Sequence, residues 1–217
     1  MKKLLFFILC LAFIQPVSSA LASGAEQRLN QFYRQVTSMR ADFTQSIISE
    51  TRPNAEKSQG VLEMQRPGKF RWNYSAPYEQ QIVADGKRLY IYDVEMEQVI
   101  VKPLDLALGN TPAVLLSGGA NITDKFEVEE ITENRESDKS LFWLQLLPRD
   151  KDAGFEKLLL AFAGDHIKIM ELKDAFGQVT RLTFSNMKLN PDIDPSVFEF
   201  KAPPGVDVIN ETQNGTN

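Results

Sequence analysis

The stretch KFRWNY, residues 69–74, decides the fold class because its apolar and polar side chains alternate with a period of two. Its three aromatic side chains, Phe70, Trp72 and Tyr74, fall on one face, and the polar side chains between them fall on the other. Such alternation is typical of a β-strand with one buried face. The stretch therefore predicts a strand whose aromatic face packs against apolar partners.

Further strands are predicted on both sides of this stretch and are joined by tight turns. Asp85-Gly86 is a hairpin signal, and Pro53-Asn54 predicts a turn within the polar residues 49–58. Evenly spaced strands favour one continuous antiparallel sheet, curled toward a barrel. The predicted strands are segments near 43–47 and 62–65, then 69–74, 82–84, 89–92, 99–101, 126–132, 141–147, 155–162, 166–173, 178–188 and 197–201.

Two segments break the strand pattern and predict helices. Residues 25–39 carry apolar side chains at helical spacing, and residues 104–118 favour one or two short apolar helices. Thr111 is a candidate N-cap and Pro112 a candidate first helical residue of the second helix. Since the strand at 141–147 is apolar on both faces, we expect the helices to cover the concave face of the sheet. The sequence leaves open whether the aromatic side chains fill a core or line a cavity.

Residues 1–22 have the anatomy of a secretory signal peptide. Two lysines precede a short apolar run at residues 4–14, and Ala20-Leu21-Ala22 fits the cleavage rule. Cleavage there predicts a soluble periplasmic protein with a single domain at 23–208 and a polar tail at 209–217. It would change the net charge from −5 to −7, since both lysines are lost. This acidic balance disfavours a nucleic-acid partner.

The sequence contains no recognisable catalytic constellation. His166 is the only histidine, lacks a visible triad partner, and is predicted to be a partly exposed strand residue. The only cysteine, Cys10, lies inside the predicted signal peptide, and Leu9 before it does not fit a lipidation site. Nucleotide-binding and nucleophile-elbow motifs are missing. We therefore expect no enzymatic activity, no metal and no cofactor.

Five segments occur in an order that resembles the LolA family of outer-membrane lipoprotein carriers. The resemblance implies a mainly β fold with a helical lid (α+β), in which an incomplete antiparallel β-barrel encloses an apolar cavity covered by short helices. It also implies a monomeric carrier that receives acylated lipoproteins from an inner-membrane ABC-type transporter and delivers them to an outer-membrane receptor. The segments are MRADFTQ (39–45), GVLEMQRPGKFRW (60–72), DGKRLYIY (85–92), GNTP (109–112) and FEFKAPPGV (198–206).

The resemblance also implies roles for particular residues. Arg66 matches an arginine that holds the lid closed through hydrogen bonds to main-chain groups, and the alternative is a surface arginine beside a turn. Phe70 matches an aromatic residue of the wall that handles cargo. The lid residues that the resemblance implies are Thr111, Pro112, Leu115 and Leu116. The cavity-wall residues are Phe70, Trp72, Tyr90, Phe142 and Leu144.

Two departures from the family pattern leave lid affinity and cargo preference open: the composition of residues 49–58 and the small residue Ala113. Other readings also stay open at this point. The chain could be the anchored receptor of the same pathway, a carrier of another envelope lipid, a hydrolase using acidic residues, or a structural or adhesive protein. The missing lipidation site argues against the receptor.

Overall fold

The computed structural model describes residues 24–49, 52–104, 116, 118, 122–132, 140–151 and 153–211. The predicted signal peptide and the predicted lid residues Thr111, Pro112 and Leu115 lie outside these ranges. Helix α1 spans Gly24–Gln35, α2 spans Ile122–Lys125, and a 3-10 helix spans Pro195–Phe198. The strands are β1 Ser38–Ser49, β2 Arg52–Gln65, β3 Lys69–Ala76, β4 Gln80–Asp85, β5 Arg88–Asp93, β6 Gln98–Pro103, β7 Phe126–Ile131, β8 Phe142–Pro148, β9 Phe155–Ala163, β10 His166–Asp174, β11 Val179–Leu189 and β12 Asp207–Asn210.

The strands form one sheet of 12 strands in the order β12-β6-β5-β4-β3-β2-β1-β11-β10-β9-β8-β7. Two antiparallel meanders, β1 to β6 and β7 to β11, join where β1 pairs with β11. The outermost strands, β12 and β7, do not pair with each other, so the sheet is open. This topology confirms the predicted mainly β, incomplete barrel. Among the described residues, no helix has the length and apolar character needed to span a bilayer.

One face of the sheet, called here the inner face, carries the large apolar cluster of the protein. Its side chains come from alternate positions of nearly every strand: Phe70 of β3, for example, lies beside Met64 of β2 and Ala84 of β4. Ala25, Leu29 and Phe32 of α1 complete the same cluster. The apolar side chains of the strands and those of the helix therefore pack together on the inner face, and α1 covers part of that face.

A smaller apolar cluster lies on the opposite, outer face of β8 to β10. Trp143 and Leu159 belong to it, whereas their neighbours Leu144 and Leu160 belong to the inner cluster. The prediction that the strand at 141–147 is apolar on both faces is therefore confirmed.

The C-terminal segment corrects one predicted strand. Residues 197–201 do not form a strand, because the 3-10 helix at Pro195–Phe198 begins there, with the Asp194 carboxylate accepting a hydrogen bond from Ser196 N at 2.9 Å. This helix packs on the outer side of β3 and β4 and buries Phe198. The chain then continues into β12, which pairs in parallel with β6. The predicted domain boundary at residue 208 thus falls inside a strand.

Two other boundaries also differ from the prediction. Helix α1 ends at Gln35 rather than at residue 39, because Ser38 and Met39 already belong to β1. Met39 is buried in the inner cluster although it belongs to a strand. Its apolar side chain therefore continued the helical spacing by coincidence. β2 begins at Arg52, so most of the polar residues 49–58 are strand rather than loop. A strand is recognised in a sequence by alternating apolar and polar residues. This part of β2 has almost only polar residues, so the alternation is missing and the sequence suggested a loop.

Candidate functional site

The inner face brings together four of the five residues predicted to form the cavity wall. Phe70, Trp72 and Leu144 are buried in the inner cluster, and Phe142 is half-buried against it. The strand pairing explains this: β3 and β8 both turn alternate side chains toward the inner face. The aromatic part of the wall is built from edge-to-face and stacked rings.

Tyr90, the fifth predicted wall residue, lies on the other face of the sheet. It pairs with Val83, which pairs with Arg71, and these positions alternate with those of Phe70 and Trp72. The Tyr90 ring stacks on Phe200 of the C-terminal segment, with 5.2 Å between ring centroids. Tyr90 therefore holds the C-terminal segment on the outer face and is not a wall residue. In LYIY, apolar and aromatic side chains occupy both faces, so the sequence could not tell which face is inner.

Helix α1 covers the inner face through its apolar side. The Phe32 ring meets Phe162 of β9 edge-on, with 5.7 Å between centroids. The guanidinium of Arg28 lies 5.6 Å from the centroid of the same Phe162 ring and 3.6 Å from the Asp165 carboxylate. A cavity of about 170 Å³ remains between α1 and the ends of β9 and β11. The exposed polar side chains of Gln31, Gln35 and Asp165 belong to its lining, so this cavity lies at the rim of α1 and is not purely apolar.

Arg66 lies between α1 and the segment that contains Leu116. Its Nη1 donates hydrogen bonds to Tyr33 O, at 3.2 Å, and to Val36 O. Its Nε donates to Leu116 O at 3.3 Å. Carbonyls at a helix C-terminus lack partners within the helix, so a planar guanidinium suits them. Arg66 is thus a cross-link between the end of α1 and Leu116, and we refer to it below as the latch.

The environment of the Arg66 side chain is aromatic as well as polar. The guanidinium carbon lies 4.3 Å from the Tyr33 ring centroid and 5.3 Å from the Phe32 ring centroid. Burial lowers the pKa of Arg66 from its ordinary value, and the nearby Tyr33 opposes that shift; burial also raises the pKa of Tyr33. The Nη2 atom is buried and has no hydrogen-bond partner among the described residues. The latch is therefore an arginine held in a desolvated site, and the described residues leave the two Nη2 hydrogens unpaired.

Asn190 holds α1 from the other side and is a residue that the sequence analysis missed. Its Nδ2 donates to Gln35 O at 2.9 Å, and its Oδ1 accepts from Thr37 N at 2.8 Å. Its own backbone N donates to Ser38 O at 2.8 Å. Asn190 has φ 54°, a left-handed conformation that Asn tolerates better than most residues. The Asn190-Pro191 pair after a strand was a turn signal, but nothing local showed that it meets the end of a helix 155 residues earlier.

The predicted lid is represented by few described residues. Leu104 and Leu116 are helical and buried, and both belong to the inner cluster. Leu116 is buried in the inner cluster, and its main-chain oxygen accepts the hydrogen bond from Arg66 Nε; its role in a lid stays a prediction. The other predicted lid residues lie outside the described ranges, and their role stays a prediction.

The described residues offer little catalytic chemistry. His166 begins β10, pairs with Ala163 and is half-buried, which confirms it as a partly exposed strand residue. Within the described ranges, no group of three or more His, Cys, Asp or Glu side chains could hold a metal ion. Trp72 Nε1 is buried and has no hydrogen-bond partner among the residues that the structure describes. The distinctive features of the site are thus an apolar face, a cover and a latch.

Together, these features define a half-barrel protein with one long apolar face under a helical cover, a class suited to holding apolar ligands. The sequence profile described as "Outer membrane lipoprotein carrier protein LolA" matches residues 34–201. The chain belongs to this LolA family, as the order of its motifs indicated.

Relatives of similar length support the assignment. The chain is 39% identical over 204 residues to the outer-membrane lipoprotein carrier protein of Methylococcus capsulatus, covering 94% of each chain. It is 38% identical over 212 residues to that of Nitrosomonas europaea, covering 97% of this chain and 100% of the relative. An uncharacterized conserved protein from Thermus thermophilus has the same fold, with a TM-score of 0.57 at 13% identity, over 86% of this chain and 99% of the other.

Proposed function

We propose that this protein is a periplasmic carrier that receives acylated lipoproteins from an inner-membrane ABC-type transporter and delivers them to an outer-membrane receptor. The acyl chains shelter against the inner face, which α1 and the Leu116 segment cover. The protein acts as a monomer and catalyses no reaction. The observation that carries this proposal is the latch, because Arg66 ties both covering elements over an apolar face.

The closed arrangement leaves little room, so cargo must displace the cover. Leu29 and Phe32 of α1 and Leu116 pack in the same cluster as the wall residues Phe70 and Trp72. Acyl chains would replace these contacts with contacts of the same apolar kind, at little cost in hydrophobic free energy. The unpaired indole N–H of Trp72 would gain a partner if an ester carbonyl of the cargo lay beside it.

Energetics explain why a carrier needs partners at both membranes. Each buried CH₂ contributes about 0.8 kcal/mol, so roughly 45 such groups of a triacylated protein anchor it by about 35 kcal/mol. Non-covalent affinities saturate near about 20 kcal/mol, so a soluble protein cannot extract such cargo unaided. Loading therefore needs an energy source in the transporter, and release needs a receptor that binds the acyl chains better.

The latch supplies the two states that such a carrier requires. With Arg66 bonded to Tyr33 O, Val36 O and Leu116 O, the empty protein is closed. With cargo inside, those bonds break, and reforming them favours release. The latch thus stores part of the free energy that drives delivery.

Arg66→Leu tests this mechanism. Leucine cannot donate to the three carbonyls, so the closed state loses stability while the apolar face remains intact. We expect the purified variant to bind acylated lipoprotein but to transfer it to the receptor at least about tenfold more slowly than the wild type. Transfer is measured with purified receptor and labelled lipoprotein.

Two matched variants make the result specific. Arg66→Lys keeps the charge but lacks the planar fork, so it should restore transfer only in part. Arg88→Leu removes an exposed arginine at the start of β5 and should leave transfer unchanged. Transfer at the normal rate by Arg66→Leu would refute the latch mechanism.

The proposed localisation has its own test, which also separates the carrier from the anchored receptor. The sequence predicts a signal peptide at 1–22 and no lipidation of Cys10. Expressed in bacteria, the protein should appear in the periplasmic extract with its N-terminus at Ser23 and without label from radioactive palmitate. Incorporated label in the mature protein would favour the receptor instead.

A further inference from the structure

A groove of about 520 Å³ opens at one end of the sheet, where the hairpins β1–β2, β3–β4 and β5–β6 turn. We call it the mouth groove. It lies at the end where β1 finishes, whereas Arg66 and Asn190 hold α1 at the end where β1 begins. Its lining includes Glu56, Tyr74, Tyr78, Asp93, Glu95 and Met96.

The mouth groove is continuous with the apolar wall of the inner face. Tyr74 lines the groove and also contacts the wall, with its ring 5.1 Å from Phe43 and 6.5 Å from Trp72, centroid to centroid. Its hydroxyl donates to Gln45 Oε1 at 2.9 Å, so the surface changes from apolar to polar at this point. A ligand whose apolar part lies on the wall would emerge through the groove.

The described lining of the groove is acidic and partly apolar. Glu56, Asp93 and Glu95 contribute three carboxylates, and the described lining residues include no lysine or arginine. Asp93 Oδ1 accepts a hydrogen bond from Met96 N at 3.0 Å, which holds the β5–β6 turn. Tyr78 and Met96 are 61% and 73% exposed, so apolar surface faces solvent beside the carboxylates.

We propose that the mouth groove binds the polypeptide segment that directly follows the acylated residue of the cargo, and that it prefers basic side chains there. This inference rests on the proposed carrier function and adds a specificity to it. With acyl chains on the inner face, the polar chain exits at the end of the sheet opposite the Arg66 and Asn190 contacts, which is the groove. Carboxylates attract a lysine or arginine and repel an acidic side chain. The Tyr78 ring offers its face to the same cation.

Two acylated peptides test the preference directly. One is an N-palmitoyl peptide with lysines at the second and third positions, and the other carries glutamates there. Binding to the purified mature protein is measured by calorimetry. The wild type should bind the lysine peptide about three- to tenfold more tightly, the range expected for a few exposed ion pairs. Raising the salt concentration to 0.5 M should remove most of this difference.

Variants locate the preference in the groove. The triple variant Glu56→Gln, Asp93→Asn, Glu95→Gln keeps the shape and the Asp93 turn acceptor, and should bind both peptides equally. The matched control Glu127→Gln, Glu130→Gln, Glu199→Gln removes the same charge from exposed positions outside the groove and should keep the preference. Thermal melting confirms that each variant is folded.

The outcomes separate this inference from the carrier function. If both acylated peptides bind the wild type equally, the groove inference fails while acyl binding stands. If neither peptide binds, the carrier function fails and the groove inference falls with it. If the triple variant keeps its peptide preference but transfers cargo to the receptor more slowly, the groove binds a partner protein, and the inference is again overturned.

Discussion

Gly60 shows how closely two strands and an aromatic ring approach one another in this sheet. A Cβ at this position would lie 1.9 Å from Asn73 O and 2.9 Å from Phe43 Cζ. The main-chain oxygen belongs to the neighbouring strand β3 and cannot move without displacing the ladder. Glycine is thus required here by space, and Phe43 packs over the place where a side chain would otherwise stand.

Gly60→Ala should therefore destabilise the protein by about 1–3 kcal/mol, the range for forcing extra atoms into a packed site. Urea unfolding followed by circular dichroism measures this change. Gly24→Ala is the matched control, because a Cβ there has no atom within 4 Å, and alanine favours a helix. A Gly60→Ala protein as stable as the control would show that β2 and β3 can separate locally at no cost.

Among the secondary-structure elements, α1 is held on the sheet mainly through side-chain hydrogen bonds to the carbonyls at its C-terminus. Arg66 satisfies Tyr33 O and Val36 O, and Asn190 satisfies Gln35 O. Only Arg66 also reaches Leu116. Losing the Arg66 side chain would break the bond to Leu116 O, while Asn190 would still hold Gln35 of α1 at the end of β11.

Asn190→Gly and Asn190→Ala separate the two contributions of this residue. Glycine keeps the left-handed backbone but loses the side-chain hydrogen bonds, which should cost about 1–2 kcal/mol. Alanine loses the same bonds and adds about 1 kcal/mol of backbone strain. Urea unfolding gives the two energies, and amide hydrogen exchange at Thr37, whose N–H bonds to Asn190, should speed up in both variants. Unchanged exchange in both would mean that Asn190 does not hold this joint.

An open sheet has two edge strands, and the solubility of the whole molecule depends on how these edges are protected. β12 pairs in parallel with β6, and Glu211 N extends the pairing by donating to Val101 O at 2.8 Å. Lys102 and Glu211 add an ion pair at 3.0 Å. An unpaired edge strand is a template for aggregation, so the C-terminal strand is part of the sheet's protection.

Truncation after Val206 should expose the β6 edge and make the protein aggregate. Light scattering at increasing protein concentration, with the melting temperature recorded in parallel, measures this. Truncation after Glu211 is the control, because it retains β12 and the ion pair with Lys102. Both truncated proteins staying monomeric and equally stable would contradict a protective role for β12.

Much of the architecture could be predicted from local patterns. The alternation in residues 69–74 predicted β3 and the inner face of Phe70 and Trp72, because the face of a strand follows directly from its period. The helical spacing in α1 predicted a buried stripe for the same reason. Motif order indicated the family, and the matched profile confirmed it.

Other features depended on contacts distant in sequence. Tyr90 was assigned to the wrong face, because the segment LYIY is apolar on both faces and only the packing of Phe200 makes one of them outer. Residues 197–201 formed no strand, since the Asp194 cap and Pro195 began a 3-10 helix instead.

By itself, the sequence determined the fold class, the family and the apolar face, since each follows from periods and motifs read within a few residues of one another. The tertiary structure alone decided that Asn190 joins Arg66 at the end of α1, that the short strand β12 covers the edge of β6, and that an acidic groove opens beyond Tyr74. These features arise where segments far apart in the chain meet, and a hydrogen bond across 155 residues leaves no local pattern in the sequence.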